Sequence, residues 1–388
     1  MSKTTLECLE WLMCATCGEK KPPSYFHQRA SSKTGYAASC RPCINGKRRN
    51  KKKAPAGDSS RLKTLVKKGD LQNLQNLVEQ TATRSFNSLL KTCVTPYISF
   101  PKTTAHSEVA RYLIEQGADP NARGSEGESM LCLAASAGQP ALVNALVDHG
   151  ASIDFFSAAA ILNLTAVENA LGEPCQATAI DNTGRTGLHY CAGSALGHAT
   201  TTHHKQQLAI IDRLLHAGAE PNAEVDIGIA VTPLVACCQS AGTVAVVHAL
   251  LRGGANPNQQ QVLRSALRHC KNRRNPENSI ADALIKSGGL VDAVIDEQNR
   301  TCLHLYSHHE EIQAVNWLLD AGASVHARTK DGRTPLHLAA DRNNNTMVCT
   351  LLLAHGANSE TMDTLGKRPV DYAQENHKTK IIALLDRQ

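Results

Sequence analysis

Glycine recurs along this chain at a spacing that leaves few folds open. It stands at positions 117, 150, 218, 254, 288, 322 and 356, at intervals of 33, 68, 36, 34, 34 and 34 residues; the longest is two periods with a degenerate copy between them. Before the last two lie Ala314-Val-Asn-Trp-Leu-Leu-Asp-Ala-Gly322 and Val348-Cys-Thr-Leu-Leu-Leu-Ala-His-Gly356, apolar at helical spacing. A unit of that length holds two short helices and a connection. It buries little alone and gains a core only by stacking on its neighbours. The 388 residues therefore suit an elongated array better than one compact core. Aromatic residues are only 4% of the chain, so Ala, Leu and Gly carry the packing.

A second signature opens the first helix of each unit. Thr334-Pro-Leu-His-Leu-Ala-Ala340 is the fullest copy. Altered copies are Ser129-Met-Leu-Cys-Leu-Ala-Ala135, Thr186-Gly-Leu-His-Tyr-Cys-Ala192, Thr232-Pro-Leu-Val-Ala236, Asn299-Arg-Thr-Cys-Leu-His-Leu305 and Arg368-Pro-Val-Asp-Tyr-Ala373. Thr caps a short inner helix, and Pro in its first turn loses no needed N–H. Leu and small Ala residues allow close stacking, and Gly ends the outer helix where the backbone needs a positive φ.

These strings resemble the ankyrin repeat over about residues 61–388. The resemblance implies an all-α fold class, a solenoid of about ten helix pairs, with the pairs near 86, 157 and 262 poorly matched. It also implies that His189, His304 and His337 satisfy backbone groups between adjacent hairpin turns, a task for which a neutral imidazole suits as donor and acceptor. Cys132, Cys191, Cys237, Cys238, Cys270 and Cys302 lie in or beside inner helices and read as small buried hydrophobes. Two insertions, Thr95–Ala105 and Gly193–Gln207, break the period. The second carries His198, His203 and His204 and is expected to be a solvated loop.

The charge is divided. Residues 1–53 hold 12 Lys+Arg against 3 Asp+Glu, while the remainder holds 29 against 32. In this basic head, Cys14-Ala-Thr-Cys17 and Cys40-Arg-Pro-Cys43 stand 22 residues apart. A C-x2-C turn points two thiolates at one cation, and a second such pair completes a closed tetrahedral site. Cys14, Cys17, Cys40 and Cys43 are thus the expected ligands of one structural Zn(II). The string Cys-x2-Cys-Gly-x-Lys-x-Pro-x3-Phe followed by Cys-x2-Cys resembles treble-clef zinc fingers of phage and other viral proteins, often found beside HNH-type endonucleases. That resemblance implies a small N-terminal α+β finger, and it points mildly to a viral source. No His-Asn-His constellation follows. The expected domains are a zinc finger with basic tail over 1–53, a linker over 54–60 and the repeat array over 61–388.

Arg41, Lys47, Arg48, Arg49, Lys51, Lys52 and Lys53 make the head a candidate for DNA or RNA, held through phosphates without base readout. The same run fits a nuclear localisation signal in a nucleated host. Free thiols and the lack of a secretory opening place the protein inside the cell, in the cytoplasm, or in the nucleus if the host is eukaryotic. The uncharged stretch Ile227–Leu251 contains Pro233 and Gln239-Ser240, which argue against a membrane span.

The leading expectation is a non-enzymatic interaction protein, an adaptor, inhibitor or effector, whose concave surface binds a protein partner. Arg123, Glu126, Arg268, Arg274, Arg300, Lys330, Arg333 and Arg342 are the candidate partner-binding residues. The alternative is a nucleic-acid-processing enzyme or its obligate subunit, related to zinc-finger endonucleases. Against it, the sequence has no phosphate loop, HExxH, Gly-x-Ser-x-Gly or clustered carboxylates.

Overall fold

The computed structural model spans residues 1–388 and describes 12–13, 20–21, 56–81, 85–95, 104–124, 127–173, 175–226, 230–240, 242–268, 280–342 and 346–386. The four candidate zinc ligands, the basic residues 41–53, Glu126, Cys270 and Arg274 lie outside the described residues. Two compact units are present: residues 1–62 with 76–82, and residues 63–75 with 83–388.

In the first unit, β1 (Leu12–Met13) pairs antiparallel with β2 (Lys20–Lys21), with Met13 opposite Lys20. Helix α1 (Ala56–Lys68) begins inside the segment expected to be a linker, and α2 (Leu71–Gln80) follows it. The stretch Ala56-Gly-Asp-Ser-Ser60 reads as a spacer by composition, yet Ala and Ser are tolerated in a helix once the apolar run behind them holds it.

The second unit is built from helix pairs. After α1 and α2 come α3 (Phe86–Val94) and α4 (Ala105–Glu115), α5 (Met130–Ser136) and α6 (Pro140–Asp148), and α7 (Phe155–Ala160) and α8 (Leu164–Ala170). Next are α9 (Gly187–Ala192) and α10 (Thr201–His216), α11 (Pro233–Gln239) and α12 (Val244–Arg252), and α13 (Val262–Leu267) and α14 (Ile280–Lys286). The last are α15 (Cys302–His308) and α16 (Ile312–Asp320), α17 (Pro335–Arg342) and α18 (Met347–Ala354), and α19 (Pro369–Glu375) and α20 (Thr379–Leu385). The described residues thus contain ten pairs, and the three poorly matched copies each form one.

Inner helices stack in order: α3 on α5, α5 on α7, α7 on α9, α9 on α11, and later α15 on α17 and α17 on α19. Outer helices follow in a second row, with α4 on α6, α8 on α10, α10 on α12 and α12 on α14. The core between the rows is the periodic set, including Leu131, Leu142, Leu188, Ile210, Leu234, Leu250, Leu303, Leu318, Leu336 and Leu352, none above 1% exposed. Each periodic glycine has φ between 85° and 97°, a left-handed turn that a side chain would strain. Beside these turns Asn222 accepts from the Asn256 N–H (2.8 Å) and donates to Gly254 O (2.9 Å). Asn258 likewise joins Leu290 N–H and Gly288 O, so one amide ties each of these repeats to the next.

The segment between an outer helix and the next inner helix forms a projecting finger. In full repeats it runs over 116–129, 171–186, 217–232, 287–301, 321–334 and 355–368, and one finger carries the β3 (Val225–Asp226) and β4 (Ala230–Val231) hairpin. Before α7 only residues 149–154 are available, so that repeat has no finger.

The insertion 193–207 departs from expectation. It is not a loop: a 3-10 turn (Ala195–His198) leads into α10, and His203 and His204 lie in the first turn of that helix. Thr200 caps it, accepting from the His203 N–H at 3.1 Å. Buried Gln207 donates to Cys191 O (2.8 Å) and Ser194 O (3.0 Å), which folds the inserted residues against α9. Among the described residues, no helix is long and apolar enough to cross a membrane, and no group of three or more His, Cys, Asp or Glu is placed to hold a metal.

Candidate functional site

A surface that recognises by shape must first be rigid, and the inner helices are held by one recurring device. Thr186 starts α9, and its N–H (3.2 Å) and hydroxyl (2.9 Å) both donate to Nδ1 of His189. With Nδ1 accepting, Nε2 carries the proton and donates to Val231 O of the next finger at 3.2 Å. Thr301 and His304 repeat this arrangement onto Arg333 O, and Thr334 and His337 onto Lys367 O. His106, buried in α4, reaches the other way, to Lys67 O at 3.0 Å. Burial pushes the His189 ring down to about 4, overcoming its carbonyl bonds to Val231 and Ala223, and it lowers His304 and His337 as well. The His189, His304 and His337 imidazoles are neutral structural ties at neutral pH.

The thiols match the reading of small buried hydrophobes. Cys132, Cys191, Cys237, Cys238 and Cys302 are buried. Desolvation pushes Cys132, Cys237 and Cys302 up to about 12, so they are protonated and inert at neutral pH.

A second device anchors the fingers. Asp181 accepts from Thr183 N–H (2.9 Å), Thr183 Oγ1 (2.7 Å), Arg185 N–H (3.0 Å) and the Tyr190 hydroxyl (2.6 Å). Burial opposes its charge, but the Tyr190 and Thr183 bonds and the backbone N–H groups hold its carboxyl below the usual range. Asp363 is built alike, taking Leu365 N–H, Lys367 N–H and the Tyr372 hydroxyl. Asp296 takes Gln298 N–H and the Arg300 N–H and Nε.

The candidate partner-binding residues fall into two groups. Lys330 at a finger tip, Arg268 at the end of α13 and Arg342 at the end of α17 are exposed. Arg123, 55% exposed, lies on a finger 3.9 Å from Asp154. Arg300 and Arg333 are engaged in the fold: Arg300 Nε donates to Asp296 at 2.7 Å, and Arg333 lies over the Tyr372 ring at 4.4 Å, near Asp363 and Asp341.

Two adjoining clefts join surfaces that spacing alone did not bring together. One, of about 180 Å³, crosses α5, α9 and α11 and is lined in part by Glu128, Ser136, Arg185, Tyr190, Gln239 and Ser240. The other, of about 160 Å³, lies where the finger before α7 is missing. Tyr190 lines both. The available sequence signals were the degenerate copy between Gly150 and Gly218 and the Asp-to-Tyr spacing shared by Asp181–Tyr190 and Asp363–Tyr372.

Comparison with known proteins agrees with this architecture. The family model for ankyrin repeats (3 copies) matches residues 102–225 and 303–387. NF-kappa-B inhibitor zeta of Mus musculus is 28% identical over 276 residues, 64% of this chain and 35% of that protein. The human protein of that name is 26% identical over 273 residues, with the same shares. E3 ubiquitin-protein ligase KEG of Arabidopsis thaliana is 22% identical over 346 residues, 82% of this chain and 20% of the ligase. The ankyrin repeat domain of human ASB11 aligns with a TM-score of 0.46 and 24% identity, covering 60% of this chain and 98% of that one. This chain therefore spans about a third or less of the curated relatives' length.

Proposed function

The chain belongs to the ankyrin-repeat family, and from that premise we propose that it is a non-enzymatic interaction protein whose inner helices and fingers bind a protein partner, as an adaptor or inhibitor. The observation that carries this reading is the set of Thr–His ties. They fix three fingers, 217–232, 321–334 and 355–368, to the preceding inner helix and so present Lys330 and Arg342 on a stiff frame. A stiff frame loses little entropy when a partner docks. The name NF-kappa-B inhibitor zeta describes an inhibitor, and the inhibitor role is proposed here by that likeness.

The head completes the proposal. Cys14, Cys17, Cys40 and Cys43 hold one structural Zn(II), which supplies the folding energy that so short a segment lacks. The β1–β2 pair supports this, since its two strands flank the first C-x2-C in sequence. The basic run 47–53, with Arg41, contacts phosphates of DNA or RNA, and the protein works inside the cell, in the nucleus where there is one.

Affinity capture from cells that make the protein, with and without nuclease, tests the main reading. The same protein partner is expected in both arms; a partner lost on nuclease treatment would refute recognition by the array. Chelation tests the head. Metal removal is expected to abolish nucleic-acid binding, whose log K falls with log salt at a slope of about −4 to −5, while helical circular dichroism persists. Loss of most of the helical signal would overturn the separation of head from array.

A further inference from the structure

The missing finger before α7 leaves a notch with its own chemistry. Its floor is aromatic: the half-buried Phe156 ring and the Tyr190 ring stand 6.2 Å apart, tilted by 57°. Two carboxylates face it, Asp154 at the start of α7 and Asp181 on the next finger. Ile180, 64% exposed, forms an apolar rim. The flanking fingers approach each other across the gap, since a β-carbon on Gly127 would lie 3.8 Å from Thr183 Cγ2. The result is a concavity of about 160 Å³ rather than an open edge.

The charges in the notch do not balance. Among the described residues Arg123 is the one cation in its lining. Its Nη1 donates to Gly127 O at a long 3.5 Å, and it stands 3.9 Å from Asp154, too far for a hydrogen bond and more than half exposed. Arg185 lies over the Tyr190 ring at 5.9 Å but lines the neighbouring cleft, where Glu128 also stands. One oxygen of Asp154 is taken by the cap to Ser157, and one oxygen of Asp181 by Thr183 and Arg185. Among the described residues, the second oxygen of Asp154 has only the distant Arg123, and the second of Asp181 only the Tyr190 hydroxyl. Two carboxylates lining one cleft with two aromatic rings, and one loosely held guanidinium, attract a cation, while the apolar rim suits an aliphatic stem.

We propose that this notch receives a lysine or arginine side chain of the protein partner, with its charge between Asp154 and Asp181, its stem along Ile180 and its cationic head against Phe156 and Tyr190. This rests on the reading of the array as a protein-binding surface and names the partner segment as basic. Arg123 acts as a placeholder that the incoming cation displaces from Asp154.

The test uses the full chain and two fluorescein-labelled 12-residue probes, one alternating Ala and Lys and one alternating Ala and Glu, read by anisotropy at physiological salt. Asp154→Asn keeps the helix cap, because an amide oxygen can still accept from Ser157 N–H, and Phe156→Leu keeps apolar volume while removing the ring face. Each substitution is expected to weaken the Ala-Lys probe at least fivefold. Asp212→Asn, on the outer helix α10, is expected to change nothing. Equal binding of the Ala-Lys probe by all variants, or its failure to bind, overturns the proposal, as does a loss confined to the Ala-Glu probe. In capture from cells, a partner retained by Asp154→Asn and Phe156→Leu would sink the notch alone. No partner in the nuclease-treated arm would sink the array reading beneath it.

Discussion

Between Thr301 and Lys367 one bond is made twice over, a Thr-capped histidine reaching the carbonyl of the following finger. Between Phe155 and Gln207 the same tie occurs once, from His189 to Val231 O, and is joined by contacts particular to their place. Ser194 Oγ donates to Ala160 O at 2.6 Å, Gln207 clamps the inserted turn, and Phe155 fills the space beside Gly187. A β-carbon on Gly187 would come within 2.7 Å of the Phe155 ring, which explains why Gly stands where Pro233, Pro335 and Pro369 occupy the matching position elsewhere. A regular repeat passes the same bond to its neighbour, so its surface is generic. The irregular repeat adds single contacts to that bond, and there the chain acquires a shape of its own.

Acid breaks the comparison most strongly, because both regions hold neutral buried histidines. A ring that titrates near 6.5 when unfolded but near 4 when folded makes the unfolded state the better proton acceptor between those values. Stability is therefore full above about pH 6.5 and is lost as pH falls towards 4, by about 3 kcal/mol for His189. His304 and His337 act in the same direction. The depressed Asp181, Asp296 and Asp363 add their loss lower, below their unfolded pKa near 3.8. Hydrogen exchange at pH 7, 6, 5 and 4.5 should show both 187–240 and 301–373 losing protection together. In a His189→Gln variant, the pH slope of the first region should flatten while that of the second stays.

Gln207 isolates the contact that the regular repeats lack. Gln207→Leu is nearly equal in volume but removes both donors to Cys191 O and Ser194 O inside the fold. The expected cost is about 2 kcal/mol, the scale of buried acceptors losing their partners. Protease cleavage within 193–200 should rise in the variant while residues 301–386 stay protected. Unchanged cleavage would mean that packing of the 3-10 turn, and not the amide, holds the insertion.

The repeat frame was legible because its signals are local and periodic. Each glycine φ, each Thr cap and the Leu-His slot follow from one residue type at one position. What escaped the sequence depended on something missing or on a distant partner. The short segment 149–154 reads only as a poor match, though its consequence is a notch between two fingers. His198, His203 and His204 suggested a polar loop, whereas Gln207 and the Thr200 cap draw that segment into structure. Arg333 and Arg300 looked free as charges on finger positions, but Tyr372 and Asp363 of the next repeat engage Arg333, and Asp296 of the same finger engages Arg300.

The tyrosine–aspartate pairs give the finest comparison, since the same chemistry occurs in both regions. Tyr190 donates to Asp181 at 2.6 Å, and Tyr372 donates to Asp363 at 2.5 Å. Removing either hydroxyl leaves the carboxylate its backbone donors. Asp363 also keeps Arg333, whose Nε stands 3.8 Å away and whose guanidinium covers the ring that remains. Beside Asp181 the Arg185 guanidinium stands farther from the ring, 5.9 Å from the Tyr190 centroid against 4.4 Å for Arg333 and Tyr372. Tyr190→Phe is thus expected to cost about 1 kcal/mol and Tyr372→Phe less, a difference readable as separate shifts in denaturant midpoint. If the order is reversed, burial of Asp363 outweighs the nearby guanidinium, and the C-terminal fingers depend on their tyrosine more than the irregular ones do.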